Sequence, residues 1–236
     1  GRWRVWPIEV TTGTGEAETA RQRRSSLNGC RSCTLPPPRA STITSTSGWR
    51  TSRAIAPITE STDAQWQWVL ELNVMSVVRS VTAFLPALRA EHGDAHVAFT
   101  SSMAGLMRPD LPGLPLGLYA ASKHALIGYG DSLRHELAPE GIGVTVLCPG
   151  PVATQLTQTS ARHRPERHGG GYDDDTPMPP GLDPRAVGDV LLRAVAADRF
   201  LALTHPELGR YVERRYRAFA DDFAFAAEGD DHDHRS

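Results

Sequence analysis

The sequence predicts an α/β domain built on a doubly wound parallel sheet. Three observations carry this. Short, almost wholly apolar runs, "AHVAFT" and "IGVTVL", fit strands covered on both faces. They alternate with longer stretches in which apolar residues recur at helical spacing. Capping residues and Pro/Gly stops mark the ends of those stretches.

The elements follow in order. Residues 1–53 are rich in Arg, Ser and Thr, contain no Asp, and show no period beyond a short "STITST" alternation. From Ala54 the character changes. Ser61 and Thr62 are N-cap candidates for a helix running to about residue 91. "AHVAFTSS" is a strand ending at Ser101 and Ser102. "LYAASKHALIGYGDSLRHELAPEG" is a helix stopped by Pro139 and Gly141. "IGVTVLCPG" is a strand closed by Pro149-Gly150. Asp183 caps a further helix that has Pro184 at its first position. The domain expectation is a degenerate or misread remnant over 1–53 and one catalytic domain over 54–236. That domain would carry a mobile loop over 155–180 and a disordered acidic tail, "EGDDHDHRS".

Composition narrows the function. A net charge of −2 gives no electrostatic reason to expect nucleic acid or an anionic membrane as partner. No apolar run approaches the roughly 20 residues of a membrane span, and "GRWRVWPIEV" lacks a secretory apolar stretch. Cys30, Cys33 and Cys148 form no disulfide framework, so the expected compartment is cytoplasmic. "CRSC" has no second ligand pair nearby, so no metal site is expected.

Lys123 is the only lysine in the chain, and Tyr119 lies four residues before it on a predicted helix, so the two share a face. A phenol titrates near 10. Bringing it to about 7 takes roughly 4 kcal/mol of preferential phenolate stabilisation, part of which a nearby ammonium supplies. Lysine suits this better than arginine, because its compact head has three rotatable donors. The same spacing also describes a plain surface pair. Ser101 and Ser102 stand at a strand's C-terminal end, where open parallel sheets bind ligands. "CPGPVAT" ends the next strand with a turn and the hydroxyl of Thr154. Asn73 interrupts an apolar helix and can reorganise the hydrogen bonding there. Taken singly, these read as a strand end, a turn and a surface polar position.

Together, from about Ala54 to Phe219, they resemble a short-chain dehydrogenase/reductase, with a Rossmann-like sheet. The matching motifs are Asn73 in "WVLELNVMSVV", the serine of "TSSMAGL", Tyr-x-x-x-Lys in "YAASK", and "PGPVAT". The resemblance implies Tyr119 as general acid/base and Ser102, rather than Ser101, as hydrogen-bond partner of the substrate oxygen. It implies Lys123 on the nicotinamide ribose and Asn73 holding a water that links Lys123 to solvent. Pro149, Gly150, Val152 and Thr154 would line the nicotinamide. The implied cofactor is NAD or NADP, and the substrate a small carbonyl/alcohol pair. A homodimer or homotetramer is implied through the helices around 62–91 and 116–138, with Val77, Val81, Leu126 and Leu133 as interface positions.

The sequence departs from that pattern in three ways. The glycine-rich loop T-G-x-x-x-G-x-G and the N-N-A-G segment are absent, and "TTGTGEA" lacks the loop's spacing. Asn73 and Tyr119 lie about 35 to 40 residues early, close to one strand–helix–strand unit. The expectation is therefore that the N-terminal strand–helix–strand unit is missing or degenerate. "MAGLMRPDLPGLPLGL" is a roof for the substrate or a plain loop. Two other readings stand beside the oxidoreductase. One is a non-catalytic relative that lost its cofactor site and acts through an interaction surface, separated by dinucleotide binding. The other performs epimerisation or dehydration with the same residues, separated by product analysis.

Overall fold

The computed structural model describes residues 41–44, 58–90, 95–108, 116–162, 166 and 180–230. Four parallel strands, β1 (Ser41–Thr44), β2 (Ala95–Thr100), β3 (Gly143–Cys148) and β4 (Leu201–Leu203), lie side by side in chain order. Register is fixed by pairs such as Val97 with Val144 and Val146 with Leu201. β1 comes from "STIT", inside the segment whose only legible signal was a short alternation.

The helices begin where the caps indicate. Thr62 accepts from the Gln65 amide, and Gln65 Oε1 accepts from the Thr62 amide at 2.8 Å, a reciprocal capping box. It opens a continuous helical stretch: α1 (Asp63–Leu70), a π-helical turn (Glu71–Met75) and α2 (Ser76–Ala90). α3 (Gly117–Leu137) passes through one 3-10 turn and stops at Gly141, whose φ of 70° is left-handed. A short helix, α4 (Leu156–Arg162), follows β3. α5 (Pro184–Ala196) is capped by Asp183, whose carboxylate accepts from the Arg185 amide at 2.7 Å. α6 (Gly209–Asp230) closes the described chain.

The sheet is covered on both faces. Val97, Phe99, Val144, Val146 and Cys148 pack with Val77, Val81 and Leu88 of α2 and Leu126, Leu133 and Leu137 of α3. Leu147 points the other way, against Val187 and Ala194 of α5 and Ala202 of β4. Each successive strand adds on the same side, yet α3 and α5 lie on opposite faces. The β3–α5–β4 crossover therefore has the opposite hand to β2–α3–β3, a departure from the nearly universal single hand of such units. Arg134 clasps the corner, donating to the Val144 carbonyl at 2.9 Å and to both carboxylate oxygens of Asp198.

One sequence expectation changes here. Val77, Val81, Leu126 and Leu133 do not form a dimer surface: all are buried in their own core. The sheet and two neighbouring helices consume the apolar faces that looked surplus. α6 runs through Asp230, as its alanine-rich stretch "AFADDFAFAAE" favours, and the last six residues of the tail expected to be disordered fall outside the described residues. The 28-residue helix Asp63–Ala90 is long and apolar enough, by composition, to cross a membrane. Five of its apolar residues, Trp68, Val69, Val77, Val81 and Leu88, are buried within the fold. Cys30, Cys33, His163, His168 and most of the 155–180 loop fall outside the described residues.

Candidate active site

The site sits at the carboxyl ends of β2 and β3, where two loops are laced together. The Ser101 amide donates to the Leu147 carbonyl at 2.8 Å and the Met103 amide to the Pro149 carbonyl at 2.9 Å. The two serines then part. Ser101 is buried and its hydroxyl is committed to the Lys123 carbonyl at 2.8 Å. Ser102 is half-buried. Its oxygen accepts from the Ala104 amide, and its hydroxyl reaches the Pro149 carbonyl only at 3.4 Å, beyond the usual O–H···O range.

α3 lies across these loops. Tyr119 and Lys123 share its inner face, with the lysine Nζ 5.6 Å from the tyrosine ring centroid. Tyr119 is buried with Ala104 and Ala120, which brings it beside the Ser102 loop. Lys123 is 1% exposed, and Nζ donates to the Thr100 carbonyl at 3.2 Å. The other two of its three donors have no hydrogen-bond partner among the described residues. Burial pulls the Lys123 ammonium down to about 7. The same burial pushes the Cys148 thiol up to about 12, so this cysteine stays protonated and inert. Gly105 lets the Ser102 loop approach α3 closely. A Cβ there would stand 2.6 Å from the Lys123 carbonyl oxygen and 2.7 Å from Ser101 Oγ.

Asn73 is buried in the π-helical turn, where the helical ladder is locally rearranged. It donates from Nδ2 to Ser122 Oγ at 2.9 Å, and Ser122 donates onward to the Tyr119 carbonyl at 2.7 Å. The sequence reading missed Ser122. The available signal was its place inside "YAASK", one residue before Lys123 and on the buried side of the helix. Pro149 and Gly150 join the same corner, the Gly150 amide donating to Thr204 Oγ1 at 3.1 Å. Val152 and Thr154 follow in the chain. Val152 bridges to Leu182, Thr154 is exposed, and its amide donates to the Val152 carbonyl. Among the described residues, no group of three His, Cys, Asp or Glu side chains is arranged to hold a metal.

A parallel sheet with a tyrosine–lysine pair, a half-committed serine and a Pro-Gly turn at its carboxyl edge defines an open-sheet α/β fold with its candidate site at the strands' carboxyl ends. The chain belongs to the short-chain dehydrogenase family: that family's model matches residues 47–165, just over half of the chain. It is 29% identical over 179 residues to a CLA biosynthesis dehydrogenase/reductase of Lactiplantibacillus plantarum, covering 67% of this chain and 59% of that protein. It is 26% identical over 180 residues to a C alpha-dehydrogenase of a Sphingobium species, covering 72% of this chain and 57% of that protein. A crystal structure of a short-chain dehydrogenase/reductase from Burkholderia phymatum in complex with NAD superposes with a TM-score of 0.65 at 28% identity. That match covers 77% of this chain and 66% of that one. The chain thus spans under three fifths of the length of these two curated relatives.

Proposed function

We propose that this protein is an NAD(P)-dependent oxidoreductase that interconverts a small carbonyl compound and its secondary alcohol. Lys123 carries the reading: a buried amine beside a buried tyrosine, with two donors that no described residue takes up, suits a cofactor's ribose hydroxyls. The relative from Burkholderia phymatum crystallised with NAD supports the choice of cofactor. When bound, the nicotinamide supplies the hydride chemistry.

The chain's own residues would manage position and proton. Tyr119 is the general acid/base, giving its phenolic proton to the substrate oxygen in reduction and taking it back in oxidation. The Ser102 hydroxyl, held only weakly by the Pro149 carbonyl, turns to that oxygen and orients it. Lys123 holds the ribose and stabilises the tyrosinate, and Asn73 fixes a water that reconnects Lys123 with solvent. Ser122 positions Asn73 against the start of α3. Pro149, Gly150, Val152 and Thr154 line the nicotinamide. Steady-state oxidation of NADH or NADPH against a panel of aryl and alkyl ketones tests this. Turnover lost in Tyr119→Phe and reduced in Ser102→Ala is the expected outcome, and wild-type rates in both variants would refute it.

A further inference from the structure

α6 leaves the body of the fold about a third of the way along its length. At its start, Leu208 and Val212 pack on the core, and Arg215 donates from Nη1 to His124 Nε2 on α3 at 2.6 Å. From Tyr216 to Glu228 every residue is exposed. The apolar stripe nevertheless continues. Val212, Tyr216, Phe219 and Phe223 follow one another at steps of four, three and four residues, one face of a helix. Tyr216, Phe219 and Phe223 are 57%, 43% and 79% exposed. A helical overhang of about a dozen residues is marginal in water without a packing partner.

The charges indicate the partner. Residues 209–219 hold Arg210, Arg214, Arg215 and Arg217 against one acid, Glu213. Residues 220–230 hold Asp221, Asp222, Glu228 and Asp230 and no base. This order opposes the helix's own dipole, which favours acids at the N-terminus and bases at the C-terminus. A second α6 laid antiparallel reverses both penalties. Each basic half then lies beside an acidic half and beside the negative pole of its neighbour. The arrangement is self-complementary, as a two-fold interface must be. An anionic membrane would be repelled by the acidic half.

We infer that α6 is a self-association surface on which two copies of this chain pair antiparallel, with Tyr216, Phe219 and Phe223 at the centre. This does not depend on the oxidoreductase reading. The test uses two double variants of the full chain: Arg214→Asp with Arg217→Asp, and Asp221→Arg with Asp222→Arg. All four residues are exposed. Sedimentation velocity at low micromolar concentration should give each variant alone half the wild-type mass. An equimolar mixture should return to the wild-type mass, which also shows that both variants are folded. Unchanged mass in the separate variants, or a mixture that stays at half mass, would overturn the inference. So would a monomeric wild type that co-sediments with phosphatidylcholine/phosphatidylserine vesicles.

Discussion

The amine of Lys123 stands 5.6 Å from the ring centroid of Tyr119, on the inner face of α3, with the Thr100 carbonyl as its acceptor. Burial holds it at about 7, against 10.5 for a free lysine. Between those values the unfolded chain binds a proton that the folded chain does not, so stability rises with pH from about 7 to 10.5. The slope reaches at most about 1.4 kcal/mol per pH unit. Lys123→Met keeps the volume and removes the charge. Urea unfolding should show that slope flattened and the variant more stable near pH 7 by on the order of a few kcal/mol, while turnover is lost. A less stable Met variant with an unchanged slope would contradict the account.

Gly105 faces two immovable neighbours, the Lys123 carbonyl and the buried Ser101 hydroxyl. Gly105→Ala should cost about 1–3 kcal/mol, because the loop and α3 must move apart. The same shift should lower kcat. Urea midpoints within error of wild type would show that the contact yields freely.

Two histidines are held neutral by burial. His96, bonded to Thr145 Oγ1 at 2.8 Å, and His124, between the Ala120 carbonyl and Arg215, both titrate below the ordinary 6.5. Their pKa values are lower folded than unfolded, so the unfolded state binds more protons just below pH 6.5. Stability is therefore full above 6.5 and falls as pH drops through that window. Thermal unfolding at pH 7.5 and pH 5 should show the loss, and His96→Gln with His124→Asn should reduce it. A pH-independent wild type would dispose of this.

The cofactor's pyrophosphate normally rests on a glycine loop and a helix N-terminus, and the sequence contains no T-G-x-x-x-G-x-G. This chain should hold the dinucleotide mainly by its nicotinamide end. Loss of a charged-group anchor worth roughly 3–5 kcal/mol weakens binding some hundred- to several-thousand-fold. Fluorescence titration should return millimolar dissociation constants for NADH and NADPH. Micromolar values would show the phosphates gripped elsewhere.

Much of this fold was legible. The runs giving β2 and β3 are apolar enough to be buried strands, and Thr62, Asp183 and Gly141 mark helix ends through local hydrogen bonding and backbone geometry alone. Tyr119 and Lys123 could be placed on one face because four residues make about one helical turn. What was not legible depends on tertiary contacts. "STIT" becomes a strand only because β2 offers it a pairing edge. Val77 and Leu126 read as surplus until the sheet and the neighbouring helix are both in place. The Ser122 relay needs α1–α2 and α3 to cross at Asn73, a separation of 49 residues that no local pattern encodes.

The most direct measurement is turnover of wild type and Tyr119→Phe at saturating, millimolar NADPH or NADH across pH 6 to 10. Removing the phenolic oxygen would remove the proposed proton donor and leave the ribose contacts proposed for Lys123. The account predicts a fall in kcat of about 10²–10⁴-fold with the cofactor dissociation constant changed less than about threefold. A Tyr119→Phe variant with wild-type kcat would contradict the assignment of Tyr119 as the acid/base of this site.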